Sequence, residues 1–393
     1  MLNIAEWVRR GAVVTDGAMG TMLQGRGLPP GERTEVWNLT RPAEIVRLHA
    51  EYLRAGAMLA VTNTFGVNRL KYPANGAYAL RDVIFAAVRH LRTAMAETGR
   101  EVPVLLSVGP TGRLPEPFGD LPFDEAFSVF KESVALGAEA GADAVLVETC
   151  TSTAEAKAAV LAAKEAAPGL PVLCTVTIEE TGRLLSGATP EAAAVILEGL
   201  GVAALGINCG AGPARAKRVL PDILAAARVP VIAKPNAGLP RTVGGRTVFD
   251  LSPEAFAAQA EELLEMGAAI LGGCCGSTPE HIAALARRCA GRAIPPLFAP
   301  AAETVAGPRE VLALTPGEDP DLELYDPDDI FFGPVAVEAE DPAALEDALR
   351  RLDGKPLIRV PAALAETARA LAETYGGVVR VKESPFAAPP ILP

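Results

Sequence analysis

Through the first three quarters of the chain, short apolar runs alternate with longer stretches rich in Ala, Glu and Leu. The runs are AVVTDG from Ala12, MLAVTNTF from Met58, VPVLLSVGP from Val102, DAVLVETC from Asp143, LPVLCTVTI from Leu170, AALGINCG from Ala203, VPVIAKPNAG from Val229 and AAILGGCCG from Ala268. Runs this short and this continuously apolar are what parallel strands buried on both faces require. Between them lie stretches of helical length, among them PAEIVRLHAEYLRAGA from Pro42, FDEAFSVFKESVALGAEAGA from Phe123, STAEAKAAVLAAKEAA from Ser152, PEAAAVILEGLG from Pro190 and SPEAFAAQAEELLEMGA from Ser252. Several close on Gly before the next strand, as helix C-termini commonly do. Eight βα units predict a (β/α)8 TIM barrel over residues 1–295, although an open doubly wound sheet has the same local pattern.

After residue 295 the pattern changes. Pro- and Ala-rich residues 296–315 read as a linker, and residues 316–393 as a small α/β extension with the order helix, strand, helix, strand. The segment from Glu310 to Asp347 holds 13 Asp or Glu and no Lys or Arg, against a net charge of −12 for the whole chain. The remainder is therefore near neutral, and the acidity is local. It reads most simply as a solvated surface; the functional alternative is a docking face for a protein partner. Nucleic-acid binding is not expected, because phosphate contacts need clustered Lys and Arg. No apolar run of about 18 residues and no signal-peptide pattern occurs, which points to a soluble cytoplasmic protein without membrane contact. Six cysteines in 393 residues are too few for a disulfide scaffold and would stay reduced in that compartment.

A barrel places its chemistry at the C-terminal ends of strands. Small and polar residues fall there: Asp16, then Thr62, Asn63 and Thr64, then Glu148 and Thr149, Asn208 and Cys209, Lys234, and the pair Cys274 and Cys275. The sixth and eighth strands are separated only by the seventh, so Cys209 can face Cys274 and Cys275 across the mouth. Three thiolates are a soft ligand set suited to one Zn2+ per chain. Neighbouring residues of an extended strand point to opposite faces, so binding one ion with both Cys274 and Cys275 requires a bend, for which Gly272, Gly273 and Gly276 leave room. Cys150, Cys174 and Cys289 read as core residues. His49, His90 and His281 sit in helical patterns, and of these only His281 is a candidate extra ligand. Zinc with three thiolates and an open position is a poor generator of hydroxide but lowers the pKa of a bound thiol, so transfer of an alkyl group to sulfur is the natural reaction.

The motifs DGAMGT at Asp16, TNTFG at Thr62, GPTG at Gly109, Glu148-Thr149, GINCG at Gly206, PNAG at Pro235 and GGCCGSTPEH at Gly272 resemble the homocysteine S-methyltransferase family. Within it they are most similar to the homocysteine-binding module at the N-terminus of cobalamin-dependent methionine synthases. The resemblance covers roughly residues 1–292 and implies a (β/α)8 barrel with zinc on Cys209, Cys274 and Cys275, methylating homocysteine to methionine. It further implies that Asp16 and Glu148 engage the substrate ammonium, that backbone N–H groups of Gly17 and Ala18 contact its carboxylate, and that Asn63, Thr64 and Asn208 line the site.

The methyl donor is expected to be methylcobalamin or methyltetrahydrofolate on a separate corrinoid or folate component, since the chain ends too soon for those modules. Betaine and S-methylmethionine are the alternative donors. Two other classes stay open at this point. A structural-zinc barrel acting as an interaction protein requires a fourth ligand from Cys289 or His281, and a lyase would use Lys234 as a Schiff-base lysine.

Overall fold

The computed structural model describes residues 2–243, 246–296, 302–315 and 319–382. Each of the eight apolar runs contains one strand. The first seven are β1 (Val13–Val14), β2 (Ala60–Val61), β3 (Val104–Val108), β4 (Ala144–Cys150), β5 (Val172–Val176), β6 (Ala204–Cys209) and β7 (Val231–Pro235). A hairpin of β8 (Pro240–Val243) and β9 (Arg246–Phe249) follows, and β10 (Ile270–Leu271) is the last strand of the large sheet. That sheet is parallel, in the order β1-β10-β7-β6-β5-β4-β3-β2, and a parallel bridge between Thr15 and Leu59 joins its two ends. The sheet therefore closes as a TIM barrel rather than opening as a doubly wound sheet.

The period of two along each strand sorts side chains between the barrel interior and the helical shell. Val13, Leu59, Leu105, Leu146, Leu173, Ala204, Ile232 and Ile270 form one buried cluster inside, and the helix Ile4–Val8 adds Ile4 to it at the N-terminal end of the strands. Their neighbours Val14, Leu106, Val145, Val147, Cys174, Leu205, Val231 and Leu271 belong instead to the shell core beneath the helices. Burying each large aliphatic side chain contributes roughly 1.5–3 kcal/mol. Two residues further along the same interior face stand Ser107, Glu148, Thr175 and Lys234, all buried and polar. The barrel is thus apolar at its base and polar near its mouth, and that polarity shift places the site.

Gly206 has a specific reason in this packing, since a Cβ there would lie 2.0 Å from the Ile232 carbonyl oxygen of the adjacent strand. The β8–β9 hairpin was not anticipated from the sequence pattern. Its Phe249 packs so close to Gly276 that a Cβ on that glycine would fall 2.1 Å from the ring.

Beyond the barrel, residues within the stretch read as a linker pair as an antiparallel hairpin, β11 (Glu303–Ala306) with β12 (Val311–Leu314). A parallel sheet in the order β13-β14-β15 follows, from Ala336–Glu338, Leu357–Pro361 and Val378–Lys382. The helices Pro342–Arg351 and Ala365–Tyr375 connect its strands. The expected helix-strand-helix-strand order is present, preceded by one further strand. The extension docks on the barrel helix Thr153–Ala166, where the buried Lys157 donates through Nζ to the carbonyl oxygens of Leu349 and Leu352, both at 2.6 Å. Thr153 donates to Asp353 Oδ2 at 2.7 Å beside it, and Arg350 lies over the rings of Phe123 and Phe127. Part of the local acidity is also matched by cations, with Arg359 between Asp319 and Glu338 and Arg351 between Asp124 and Asp347. Among the described residues no helix is long and apolar enough to cross a membrane.

Candidate metal centre and substrate pocket

The structure brings Cys209, Cys274 and Cys275 together, with the three Sγ atoms within 4.8 Å of one another. Among the described residues this is the one group of three or more His, Cys, Asp or Glu with metal-binding spacing. Tetrahedral ligands about 2.3 Å from zinc stand about 3.8 Å apart, a spacing compatible with the cluster. Three backbone devices build it. Cys209 ends β6 in a left-handed conformation (φ 63°), continued by Gly210. Cys274 is pinned from both sides, its N–H donating to the Pro235 carbonyl at 2.9 Å and its own carbonyl accepting from Ser277 Oγ at 2.7 Å. The chain then turns at Cys275, and Gly276 takes φ 80°.

The glycines flanking the cysteine pair serve two different purposes. Only Gly276 has a positive φ. Gly272 and Gly273 are needed for space, because a Cβ would come within 2.0 Å of Thr15 Oγ1 at the first and 2.2 Å of Ser277 Oγ at the second.

Proton sharing within the cluster is uneven. Thiol hydrogen bonds from Cys274 and Cys275 hold Cys209 well below the ordinary cysteine range. Those same bonds, with burial added, push Cys274 and Cys275 up. Three thiolates gathered this closely would demand a cation.

Beside the sulfurs lies a buried polar floor. Glu148 accepts from Ser107 Oγ at 2.6 Å and pairs with Lys234 Nζ at 3.4 Å. Burial works to lower the Lys234 pKa, but Glu148, Asp16 and Cys274 together raise it, so its nitrogen is an ion-paired ammonium rather than the free amine a Schiff base needs. Asp16 accepts from the Val61 N–H at 2.7 Å through Oδ2, while its buried Oδ1 has no partner among the described residues. Burial raises its pKa to about 7, with Lys234 opposing. An unpaired carboxylate oxygen buried beside other polar side chains is a ready acceptor for an ammonium group.

Asn208 joins the two halves of the site. Its Oδ1 accepts from the Thr149 N–H and from Thr175 Oγ1, each at 2.9 Å, and its Nδ2 reaches Thr149 Oγ1 at 2.7 Å and Cys274 Sγ at 3.8 Å. Asn236 donates to the Gly210 carbonyl under Cys209. Thr64 is spent on the β2–β3 contact, linking Thr62 Oγ1 and the Ser107 carbonyl, each at 2.7 Å.

Other expected residues are committed elsewhere. Asn63 donates through Nδ2 to the Thr34 carbonyl and to Asn38 Oδ1, and that nitrogen ties down the loop after β1. The Ala18 N–H, expected to meet a carboxylate, already donates to Ser277 Oγ at 3.1 Å, and a Cβ on Gly17 would strike Ser277 and Tyr52. His281 engages Thr278 through Nδ1 and the Leu251 carbonyl through Nε2. Cys289 is buried in the last barrel helix and outside the sulfur cluster. Neither supplies a fourth ligand, which removes the ground for a closed structural site. Cys150 and Cys174 are buried core residues. Ser107, Thr175 and Ser277 were not singled out from the sequence, although Ser107 and Ser277 lie beside or within the quoted motifs; Asn236 falls, as its position implies, at the end of the seventh run.

Residues 13–289 match the family described as homocysteine S-methyltransferase. The chain is 36% identical over 314 residues to methionine synthase of Mycobacterium leprae, covering 75% of this chain and 26% of that protein. It is also 36% identical over 288 residues to methionine synthase of Mycobacterium tuberculosis, covering 69% of this chain and 24% of that one. The chain therefore spans about a quarter of the length of these relatives. The metallated form of the homocysteine methyltransferase MmuM from Escherichia coli superposes with a TM-score of 0.62 at 25% identity, covering 72% of this chain and 98% of MmuM. Fold, cysteine cluster and sequence agree: the chain belongs to the homocysteine S-methyltransferase family.

Proposed function

We propose that this protein transfers a methyl group to the thiol of homocysteine, giving methionine, at a zinc centre held by Cys209, Cys274 and Cys275. The observation that carries this reading is the three-sulfur cluster standing beside a buried carboxylate with a free oxygen. When bound there, zinc supplies the charge that keeps a fourth sulfur deprotonated at neutral pH while leaving it nucleophilic.

The remaining roles belong to the chain itself. Asp16 Oδ1 accepts the substrate ammonium, and that charge offsets the burial that raises the Asp16 pKa. Glu148, already shared between Ser107 and Lys234, completes the negative side of the pocket. Asn208 fixes Cys274 relative to the β4 end, and Ser277 fixes the turn that carries Cys274 and Cys275. Methylcobalamin or methyltetrahydrofolate, presented by a corrinoid or folate component outside residues 1–393, is the proposed donor. The length of the methionine synthases relative to this chain supports that division.

X-ray absorption at the zinc edge tests the reading. The expected result is about one zinc per chain, with a zinc–sulfur signal that gains one sulfur neighbour when homocysteine is added. An unchanged sulfur count would overturn it. Turnover with methylcobalamin, methyltetrahydrofolate, betaine and S-methylmethionine in parallel then identifies the donor.

A further inference from the structure

A second cavity, with a volume of about 570 Å3, opens between the barrel loops after β3, β4 and β5 and the C-terminal extension. Its size lies within the range of roughly 300–1,000 Å3 common for small-molecule sites, which favour domain interfaces. None of the cysteines of the metal centre lines it.

Three properties of its walls point the same way. Five aromatic rings line it, Phe118, Phe123, Tyr325, Phe331 and Phe332, with Arg350 over Phe123 and Arg309 over Phe332. At its edge Phe118 and Ile330 are 54% and 57% exposed, an arrangement that water does not favour and that an apolar ligand surface would cover. Charge is one-sided. Glu116, Glu155, Asp328, Asp329 and Asp353 line the cavity against a single cation, Arg351, which is itself engaged by Asp124 and Asp347. Just beneath the wall lie unused polar atoms. Asp353 Oδ2 accepts from Thr153, but its Oδ1 and the Ser186 Oγ are buried with no hydrogen-bond partner among the described residues. The neighbouring Lys157 points its N–H groups at the Leu349 and Leu352 carbonyls instead.

We propose that this cleft is a second ligand site, taking a small organic cation with a flat apolar body and at least one N–H donor. Phe118, Tyr325 and Phe331, the lining rings with no arginine over them among the described residues, provide stacking faces and cation–π contact, the carboxylates select positive charge, and Asp353 Oδ1 accepts the N–H that fixes orientation. An anion would meet a net negative wall, and a neutral aliphatic ligand would leave Asp353 Oδ1 unpaired. The site is independent of the methyl-transfer reading and would stand if that reading failed.

Benzamidine is the test ligand, titrated into the full chain by ligand-observed NMR beside neutral benzamide, anionic benzoate and trimethylphenylammonium, a cation lacking N–H. Benzamidine is expected to bind at least about tenfold more tightly than each of the three, because each lacks the charge or the donor. Asp353→Asn keeps an acceptor for Thr153 and is expected to weaken benzamidine at least about tenfold. Phe118→Ala, at an exposed position, is expected to weaken it severalfold and decides the question should the Asp353 variant not fold. Equal binding of benzoate, absence of saturable benzamidine binding, or wild-type affinity in the folded variants would overturn the proposal.

Discussion

Asn208 grips Thr149 at two atoms, accepting its backbone N–H at 2.9 Å and donating to its Oγ1 at 2.7 Å. Thr149 has φ 65°, a left-handed conformation that costs a β-branched residue about 1–3 kcal/mol and persists only where the surroundings impose it. The Nδ2 that completes the grip also lies 3.8 Å from Cys274 Sγ. One amide therefore couples a strained strand end to a sulfur of the three-cysteine cluster.

Removing that amide should separate two effects. Asn208→Ala is expected to lower zinc affinity about 10–100-fold, as loss of a ligand's outer hydrogen-bond partner does, and to destabilise the fold by leaving Thr149 strained and unheld. Adding Thr149→Gly relieves the backbone strain, so the double variant should recover stability without recovering zinc affinity. Chelator competition and thermal denaturation on the two variants measure these outcomes separately. Unchanged zinc affinity in Asn208→Ala would show that the Cys274 contact is incidental.

Asp16 predicts a pH dependence with a defined sign. Its carboxyl is raised from 3.8 to about 7, chiefly by burial. The folded chain therefore binds a proton that the unfolded chain has released, and this residue's contribution to stability falls as pH rises from about 4 to about 7. An ammonium ligand reverses the preference by favouring the ionised form. Homocysteine affinity should accordingly increase across the same window, with proton release on binding. Asp16→Asn should flatten both trends while keeping an acceptor for Val61. Calorimetry at several pH values would decide, and an equal slope in the variant would assign the titration elsewhere.

The sulfur cluster makes a stoichiometric prediction. Cys209 is lowered by the thiols that donate to it, and Cys274 and Cys275 are raised, so the metal-free cluster carries about one thiolate and two thiols. Loading three thiolates onto zinc should release about two protons per ion near neutral pH, and zinc affinity should fall as pH falls. A pH indicator in weak buffer measures the release directly. Cys209→Ala should abolish stoichiometric zinc, and release of no protons by the wild-type protein would be incompatible with three-thiolate binding.

The barrel was legible because its signal is local. Eight apolar runs with polar residues at their C-terminal ends need only a few consecutive residues to be read, and Cys209, Cys274 and Cys275 stand at two of those ends. What lies between these residues was not legible. Asn63 is placed at a strand end by the pattern, but its Nδ2 bonds to Thr34 and Asn38 are set by how the loop after β1 folds back. Ser277 holds Ala18 across 259 residues, and Ser107 meets Glu148 across 41; neither partnership leaves a periodic trace. The β8–β9 hairpin escaped notice because RTVGGRTVF carries little apolar alternation. Its placement is visible only through Phe249 against Gly276.

Lys157 supplies the last prediction, on how the extension is held. Its ammonium caps the C-terminal carbonyls of the helix Pro342–Arg351 from inside the barrel shell, a favourable place for a cation. Burial nevertheless lowers its pKa from 10.5 to about 8. Above that value the folded chain has released a proton that the unfolded chain still binds, so this residue's contribution makes stability rise between about pH 8 and 10.5. Lys157→Met preserves the packing volume but leaves the Leu349 and Leu352 carbonyls without a donor. The expected net loss is about 1–3 kcal/mol, and the rise with pH over that window should disappear. Because the lost bonds lie at the contact with the extension, proteolysis should accelerate within residues 302–382 while zinc content stays at the wild-type level. Equal proteolysis rates in both proteins would mean that the apolar contacts and Arg350 hold the extension without Lys157.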